Sequence, residues 1–176
     1  DCDAAVNPGA VDVPGNGKDD NCDAKIDEPL ATCDDNVAMD SQDPMAFLKA
    51  AELCKVSGGV KSWGVITATW ALADGSAPPQ QSLQNFHLGH GVLPDFGPNV
   101  LPRAGKKILA LSSGTARRPN DPGFQSLQGF NKGYSNASAP GFPKESPSCP
   151  AVQSGGANDA TAVEALVRVP SNAHGF

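Results

Sequence analysis

The sequence predicts a mainly β fold, in which a sandwich-like domain with one short helix follows a small loop-rich module. Its 176 residues include 19 glycines and 16 prolines, a turn-rich composition that argues against a helical bundle. Three later segments have the apolar pattern of short strands, whereas residues 1–32 show no apolar periodicity. A chain of this length has room for one domain with a sizeable core and one small module.

Charge also separates the N-terminal part of the chain from the rest. Residues 1–43 carry twelve acidic side chains and two lysines, whereas the rest carries eleven basic and seven acidic side chains. We assign residues 1–32 to an acidic module, 33–43 to a polar connector and 44–176 to a β-rich domain. The acidic module would repel itself unless cations neutralise it. Clustered lysine and arginine are absent from the sequence, so nucleic acid is not an expected partner.

One helix and three strands are predicted within the β-rich domain. Asp43 is a suitable N-cap, Pro44 a suitable first helical residue and Gly58-Gly59 a stop, which predicts an amphipathic helix of about three turns. Residues 60–73, 108–112 and 161–169 have the apolar content and the boundaries of strands. Residues 115–160 have no such pattern, and we expect them either to pack on the sheet or to form a flexible, partner-binding region.

Five cysteines stand at positions 2, 22, 33, 54 and 149, without any C-x-x-C pair. Disulfides in an oxidising compartment suit this spacing better than a zinc ribbon or a thioredoxin-like site. We expect Cys2–Cys22 and Cys33–Cys54 bridges, each closing a loop of about twenty residues and contributing roughly 3 kcal/mol. Cys149 is left over, as a free thiol, as half of an intermolecular bridge or with a partner outside this sequence.

Oxygen-bearing side chains recur at alternate positions in the acidic module, which is how calcium loops supply their ligands. Segment 19–28, of the form D-x-N-x-D-x-K-x-D-E, resembles the first half of an EF-hand loop, with a backbone carbonyl ligand near its lysine. Segment 1–7 resembles a second half-site. The predicted ligands, for one or two calcium ions, are Asp1, Asp3, Asn7, Asp12, Asp19, Asn21, Asp23, Lys25, Asp27 and Glu28.

Two positions depart from an EF-hand. Ala24 occupies the usual glycine position, and Leu30 stands where the twelfth-position acid belongs. The competing interpretation is a solvated acidic linker. A linker would need neither asparagines at these spacings nor two cysteines, so calcium binding is the better prediction.

The run DCDAAVNPGAVDVPGNGKDDNCDAKIDE at 1–28 resembles the metal-binding motif repeated in secreted and surface proteins of myxobacteria and related bacteria. The middle cysteine of that motif is replaced here by Pro14-Gly15. Related motifs occur in a copper-binding surface protein of methanotrophs, which makes copper the minor alternative. Copper favours imidazole or sulfur ligands, and residues 1–32 contain no histidine or methionine, so calcium is preferred.

The rest of the chain, about residues 43–176, resembles the choice-of-anchor L domain of bacterial surface proteins. The matching stretches are 91–100, 108–116 and 163–173. The resemblance implies a β-rich, sandwich-like extracellular domain with no established catalytic role. Members of that family continue with further strands, so we expect a sheet that is incomplete at Phe176. Its open edge would take a strand from a protein partner or from another copy.

Together these features predict a secreted or cell-surface calcium-binding protein with a structural or adhesive role. Its most specific form is a self-assembling subunit of an extracellular filament. The sequence contains no signal peptide and no run of eighteen apolar residues, so no transmembrane segment is expected.

Two other functions stay open. His87 and His90 would bind zinc or copper in a metal-dependent hydrolase or other enzyme completed by a further C-terminal segment, although packing histidines are the commoner case. A carbohydrate-binding module would use Trp63 and Trp70 as a sugar platform. Their opposite parity along the predicted strand indicates that at least one of them lies in the core.

Overall fold

The computed structural model describes residues 5–29, 31–126, 128, 130–151 and 155–173. Within them the elements are α1 (Pro44–Leu48), β1 (Gly64–Ala71), α2 (Leu83–Leu88), β2 (His90–Leu93), β3 (Ile108–Leu111), β4 (Ser135–Asn136), β5 (Ala157–Asn158) and β6 (Ala162–Arg168), with 3₁₀ turns at Lys49–Ala51 and Gln80–Ser82. Strand residues outnumber helical residues, which confirms the mainly β prediction. In these ranges no helix has the length and apolar character needed to span a membrane.

The strands of the described chain pair as three two-stranded antiparallel sheets. β1 pairs with β6, from Gly64 opposite Arg168 to Ala71 opposite Ala162. β2 pairs with β3, and the two-residue strands β4 and β5 pair with each other. The β1–β6 pair joins segments that are about 100 residues apart in sequence, so the last described strand lies beside the first one.

The apolar core lies between α1 and the strands. Its buried centre consists of Val37, Phe47, Ala50 and Val92. The Trp70 ring packs against this centre and stacks on the buried His90 ring, with 3.9 Å between centroids and 17° between planes. The Trp70 indole N–H donates to the Gln42 carbonyl oxygen at 2.6 Å. These contacts place Trp70 in the core rather than on a flat binding surface.

The first helix begins where predicted and ends early. The Asp43 carboxylate accepts a hydrogen bond from the Met45 N–H at 2.9 Å, as expected of an N-cap followed by Pro44. The prediction of a three-turn helix up to Gly58 is wrong. The helix passes into a single 3₁₀ turn and stops at Glu52, whose φ of 58° is left-handed. Left-handed backbone breaks the helical hydrogen-bond pattern at that residue.

The three predicted strands exist in shortened form, and four further elements lie outside the predictions: α2, β2, β4 and β5. Segments 60–73, 108–112 and 161–169 contain β1, β3 and β6. The prediction of one short helix is wrong, because α2 is a second one, and β2 has no counterpart among the predicted strands. Both elements, of 6 and 4 residues, are too short for an apolar period to stand out.

One of the two predicted disulfides is confirmed. Cys33 and Cys54 are bonded, and the bridge links the connector to the residues after α1. Cys22 is exposed, and its predicted partner Cys2 lies outside the described residues, so the Cys2–Cys22 bridge stays a prediction. Cys149 is exposed with a free thiol.

The acidic module contacts the end of the β-rich domain through specific hydrogen bonds. The side-chain amide of Asn172 forms two hydrogen bonds with the backbone of Val11. Its oxygen accepts from the Val11 N–H (3.1 Å), and its nitrogen donates to the Val11 carbonyl oxygen (2.8 Å). The Ser171 N–H donates to the Gly9 carbonyl oxygen at 3.0 Å, and the Ser171 hydroxyl donates to Asn7 Oδ1 at 3.0 Å. Residues 7–11 are therefore held against residues 171–172.

Candidate metal centre

Segment 19–25 folds into consecutive turns around its own side-chain oxygens. The Asp19 carboxylate accepts hydrogen bonds from the Asp23 N–H (3.1 Å) and the Ala24 N–H (2.8 Å). Asn21 Oδ1 accepts from the Asp23 N–H (2.9 Å), and Asp23 Oδ1 accepts from the Lys25 N–H (3.0 Å). Aspartate and asparagine side chains that bond the backbone two residues on form Asx turns, so the alternate spacing of these residues curls the chain tightly.

Left-handed backbone occurs at three described residues of this module that are not glycine: Cys22 (φ 60°), Ala24 (φ 74°) and Asp27 (φ 57°). Ala24 occupies the position where an EF-hand loop places glycine for a sharp turn. The backbone of Ala24 adopts the left-handed conformation that glycine favours, and this conformation costs an alanine about 1–2 kcal/mol of stability. Alanine in place of the EF-hand glycine therefore strains the loop, and the backbone still turns left-handed at this position.

A second group of oxygens shapes the preceding turn. The Asp27 carboxylate accepts from the Asn16 N–H (3.0 Å) and the Gly17 N–H (3.1 Å). The buried Asp20 carboxylate accepts from the Val13 N–H (3.0 Å) and the Asn16 side-chain amide (2.7 Å). Asp20 is absent from the predicted ligands, and no spacing rule singles it out. These bonds draw the two ends of segment 12–28 together.

The carboxylates of Asp12 and Glu28 meet at those two ends. Asp12 is 4% exposed, and its Oδ1 accepts from the Asn21 N–H at 3.0 Å. Asp12 Oδ2 and Glu28 Oε2 are both buried, and no other described residue offers either of them a hydrogen bond. The contact between the two carboxyl groups lowers the pKa of Asp12 and, together with burial, raises the pKa of Glu28. Ionised together, they require a cation.

Asp23 and Lys25 lie beside this pair. Lys25 Nζ lies 3.4 Å from Asp23 Oδ2 and 3.4 Å from Glu28 Oε1. The hydrogen bond to Asp23, with the charge of Glu28, raises the pKa of Lys25. Its side chain is 70% exposed, so solvent screens the ammonium strongly. Three carboxylates therefore face one screened ammonium, and the local charge stays negative.

The structure divides the ten predicted ligands by position. Two lie outside the described residues: Asp1 and Asp3. Three converge at the ends of segment 12–28: Asp12, Asp23 and Glu28. Three accept backbone N–H groups in the same loop, and their oxygens keep further lone pairs: Asp19, Asn21 and Asp27. Of the last two, Lys25 lies beside the converging acids, whereas Asn7 bonds to Ser171 and holds the module to the domain.

A cleft of about 590 Å³ opens beside the converging acids. Asp12, Asn21 and Glu28 line it from the module, and Glu52 and Trp63 line it from the β-rich domain. Water and ions can therefore approach the module and the domain through the same opening.

Among the described residues, one group of three His, Cys, Asp or Glu side chains has its ligand atoms within 4.8 Å of one another, and it lies outside the acidic module. These side chains are Cys33, Glu52 and Cys54. The two cysteines are joined in the disulfide, so neither offers a thiolate. A zinc–thiolate centre at this place would require the bridge to be reduced.

His87 and His90 form a packed pair in the aromatic core. His87 Nδ1 and His90 Nε2 are 2.7 Å apart, and His90 is fully buried against Trp70. Burial, helped by the neighbouring His87, Arg117 and Lys132, lowers the pKa of His90 to about 3. Within the described ranges no third histidine, cysteine or carboxylate ligand atom comes within 4.8 Å of both. Two neutral imidazoles sharing one hydrogen bond account for this geometry.

No family model matches this chain, and neither a curated protein nor a solved structure matches it. The resemblances of residues 1–28 and 43–176 therefore rest on the quoted motif residues. Function has to be argued from the acidic pair and its surroundings.

Proposed function

We propose that this chain is a secreted or cell-surface calcium-binding structural protein, in which an ion held between Asp12 and Glu28 fixes the acidic module onto the β-rich domain. The observation that carries the proposal is the contact between the Asp12 and Glu28 carboxyl groups, whose buried oxygens Oδ2 and Oε2 receive no hydrogen bond from any other described residue. Buried polar atoms normally have a partner, and two such carboxylates need a proton or a cation.

The donor set fits a hard cation. Asp12, Asp23 and Glu28 supply carboxylate oxygens, and Asn21 lines the same cleft. Calcium takes about six to eight oxygen ligands in flexible geometry, so loop carbonyls and water would complete its shell. Copper and zinc prefer nitrogen or sulfur donors, which the acidic pair does not contain.

A cation at this position would act on the contact between module and domain. Asp12 follows Val11, whose backbone forms two hydrogen bonds with the Asn172 side chain. The Asp12 carboxylate in turn accepts a hydrogen bond from the Asn21 N–H. Drawing Asp12 and Glu28 together therefore tightens the loop that presents residues 7–11 to residues 171–172. Neutralising the acids also removes the repulsion within the module.

The Cys33–Cys54 disulfide supports a location outside the reducing cytosol. Calcium modules in extracellular proteins bind with dissociation constants of about 10⁻⁴–10⁻³ M, and we expect the acidic pair to fall in that range.

We further propose that the domain is sandwich-like and self-associates through β6. Among the described strands β6 pairs with β1 alone, so its other edge presents unpaired backbone groups. Leu166 in this strand is 57% exposed. A strand from a second copy would extend the sheet, and repetition of that contact would build a filament.

Light scattering over a range of concentrations in calcium tests the association. Assemblies that grow with concentration and shrink in the edge variant Leu166→Lys support it. A monomer at every concentration would overturn this part of the proposal and leave calcium binding standing.

Isothermal titration of calcium into chelator-treated protein tests the site itself. Glu28→Gln keeps the shape of the side chain and removes its charge, so it should lose the ion. Glu145→Gln is the matched control, because Glu145 is exposed in the irregular segment 141–150 and should bind as the wild type does. Equal calcium binding by Glu28→Gln and the wild type would refute the site.

A further inference from the structure

A second pair of carboxylates meets beside the disulfide, where the sequence predicted no ligand. Asp34 follows Cys33 and is 0% exposed, and its Oδ1 has no hydrogen-bond partner among the described residues. Glu52 stands two residues before Cys54, and its Oε1 is likewise buried without a partner. The Cys33–Cys54 bridge holds the two backbone segments side by side.

The two carboxylates face each other across Gly105. A Cβ at this position would overlap Glu52 Oε1 and would lie 2.6 Å from Asp34 Oδ2. Gly105 has a φ of +65°, so both its conformation and its surroundings favour glycine. Any side chain at position 105 would therefore collide with these two oxygens, which both lie against the Gly105 backbone.

Three carboxylates, those of Asp34, Asp35 and Glu52, meet two lysine ammonium groups around this pair. Burial raises the pKa of Asp34, but the N–H groups of Lys106 and Lys107, each 2.6 Å from Oδ2, outweigh burial and lower it, so Asp34 is ionised. Burial, with the charges of Asp34 and Asp35, raises the pKa of Glu52. The Lys106 ammonium pairs with Asp35 at 3.0 Å, and the Lys107 ammonium donates to a main-chain carbonyl. The charge of Lys107 also lowers the pKa of Asp34 and so offsets part of its negative charge, whereas the charges that act on Glu52 are both negative.

We propose that Asp34 and Glu52 bind a second hard divalent cation, Ca²⁺, independently of the acidic pair Asp12 and Glu28. Their oxygens are hard donors, and the adjacent sulfurs are consumed in the disulfide, which disfavours zinc and copper. Glu52 also lines the cleft that reaches the acidic pair, so an ion has a path from solvent. Main-chain carbonyls and water complete the shell. The ion cross-links the connector to the chain just after α1.

The test is calcium titration calorimetry on the oxidised full chain, with the wild type, Glu52→Gln, Glu28→Gln and the control Glu145→Gln. The wild type and the control bind one more calcium ion than Glu52→Gln does. Glu28→Gln retains the ion at Glu52, so failure of one site is distinguishable from failure of the other. Identical calcium number and affinity in Glu52→Gln and the wild type would overturn this second site.

The melting temperatures of Glu52→Gln and the wild type show whether the variant folds. In chelator, Glu52→Gln should melt above the wild type, because the substitution removes repulsion from Asp34. In saturating calcium the wild type should have the higher melting temperature of the two proteins. If Glu52→Gln stays above the wild type in both conditions, the pair shares a proton and binds no cation.

Discussion

Ala24 has a backbone conformation that its side chain disfavours. Its φ of 74° is left-handed, and its N–H bonds to the Asp19 carboxylate. Replacing it with glycine should raise the free energy of unfolding by about 0.5–1 kcal/mol, because relief of strain exceeds the added freedom of the unfolded chain. Urea unfolding measures this. Ala38→Gly is the control: Ala38 is exposed and has no positive φ, so its replacement should lower stability.

His90 makes stability depend on pH. Its pKa is lowered to about 3 from 6.5, first by burial and then by His87, Arg117 and Lys132. A lowered pKa means that this contribution is complete above about pH 6.5 and is lost as the pH falls toward 3, with a total of up to about 5 kcal/mol. His90→Phe should flatten the acid limb of the stability curve measured by urea unfolding. The same acid limb in both proteins would contradict this prediction, since the carboxylates titrate equally in each.

At the residue scale, local chemistry was predictable and pairing between distant residues was not. The cap at Asp43 depends on neighbours within two residues, so the sequence alone located it. The meeting of Asp12 with Glu28 depends on how the intervening turns fold. The Asp34–Glu52 pair had one usable signal: the predicted Cys33–Cys54 bridge already places their neighbours together.

At the scale of elements, Gly64 is the tightest point of β1. A Cβ there would overlap the Lys55 carbonyl oxygen and would lie 3.0 Å from the Ser57 nitrogen, and its φ is +131°. Gly64→Ala should therefore cost about 1–3 kcal/mol of stability by pushing segment 55–57 off the strand. Thermal melting checks it. Gly58→Ala, with open space around its Cβ, should change stability by no more than about 0.5 kcal/mol.

Element type was predicted best where the pattern was long. β1 and β6, of 8 and 7 residues, were located with errors at their ends only. The pairing of β1 with β6 could not be read from either strand, because both have apolar residues on two faces. The predicted helix was too long because nothing in the sequence marks the left-handed backbone of Glu52, where the 3₁₀ turn after α1 ends.

For the whole molecule, the charge contrast between the acidic module and the β-rich domain is the feature that sequence and structure share. Acidic clustering is visible in composition, so the sequence predicts a cation in the acidic module, and this stays a prediction. The sequence did not predict that the module would be held by Asn172, near the other end of the described chain. Calcium should therefore stabilise the fold as a unit, and not the module alone.

The most direct measurement is the melting temperature of the full chain as a function of free calcium. Binding of one ion to the folded state alone adds about 2.7 kcal/mol at a hundredfold excess over the dissociation constant, or roughly 5–10 °C for a domain of this size. We predict a melting temperature that rises steadily with calcium and returns to its starting value in chelator. The same melting temperature in calcium and in chelator would contradict the calcium-binding account.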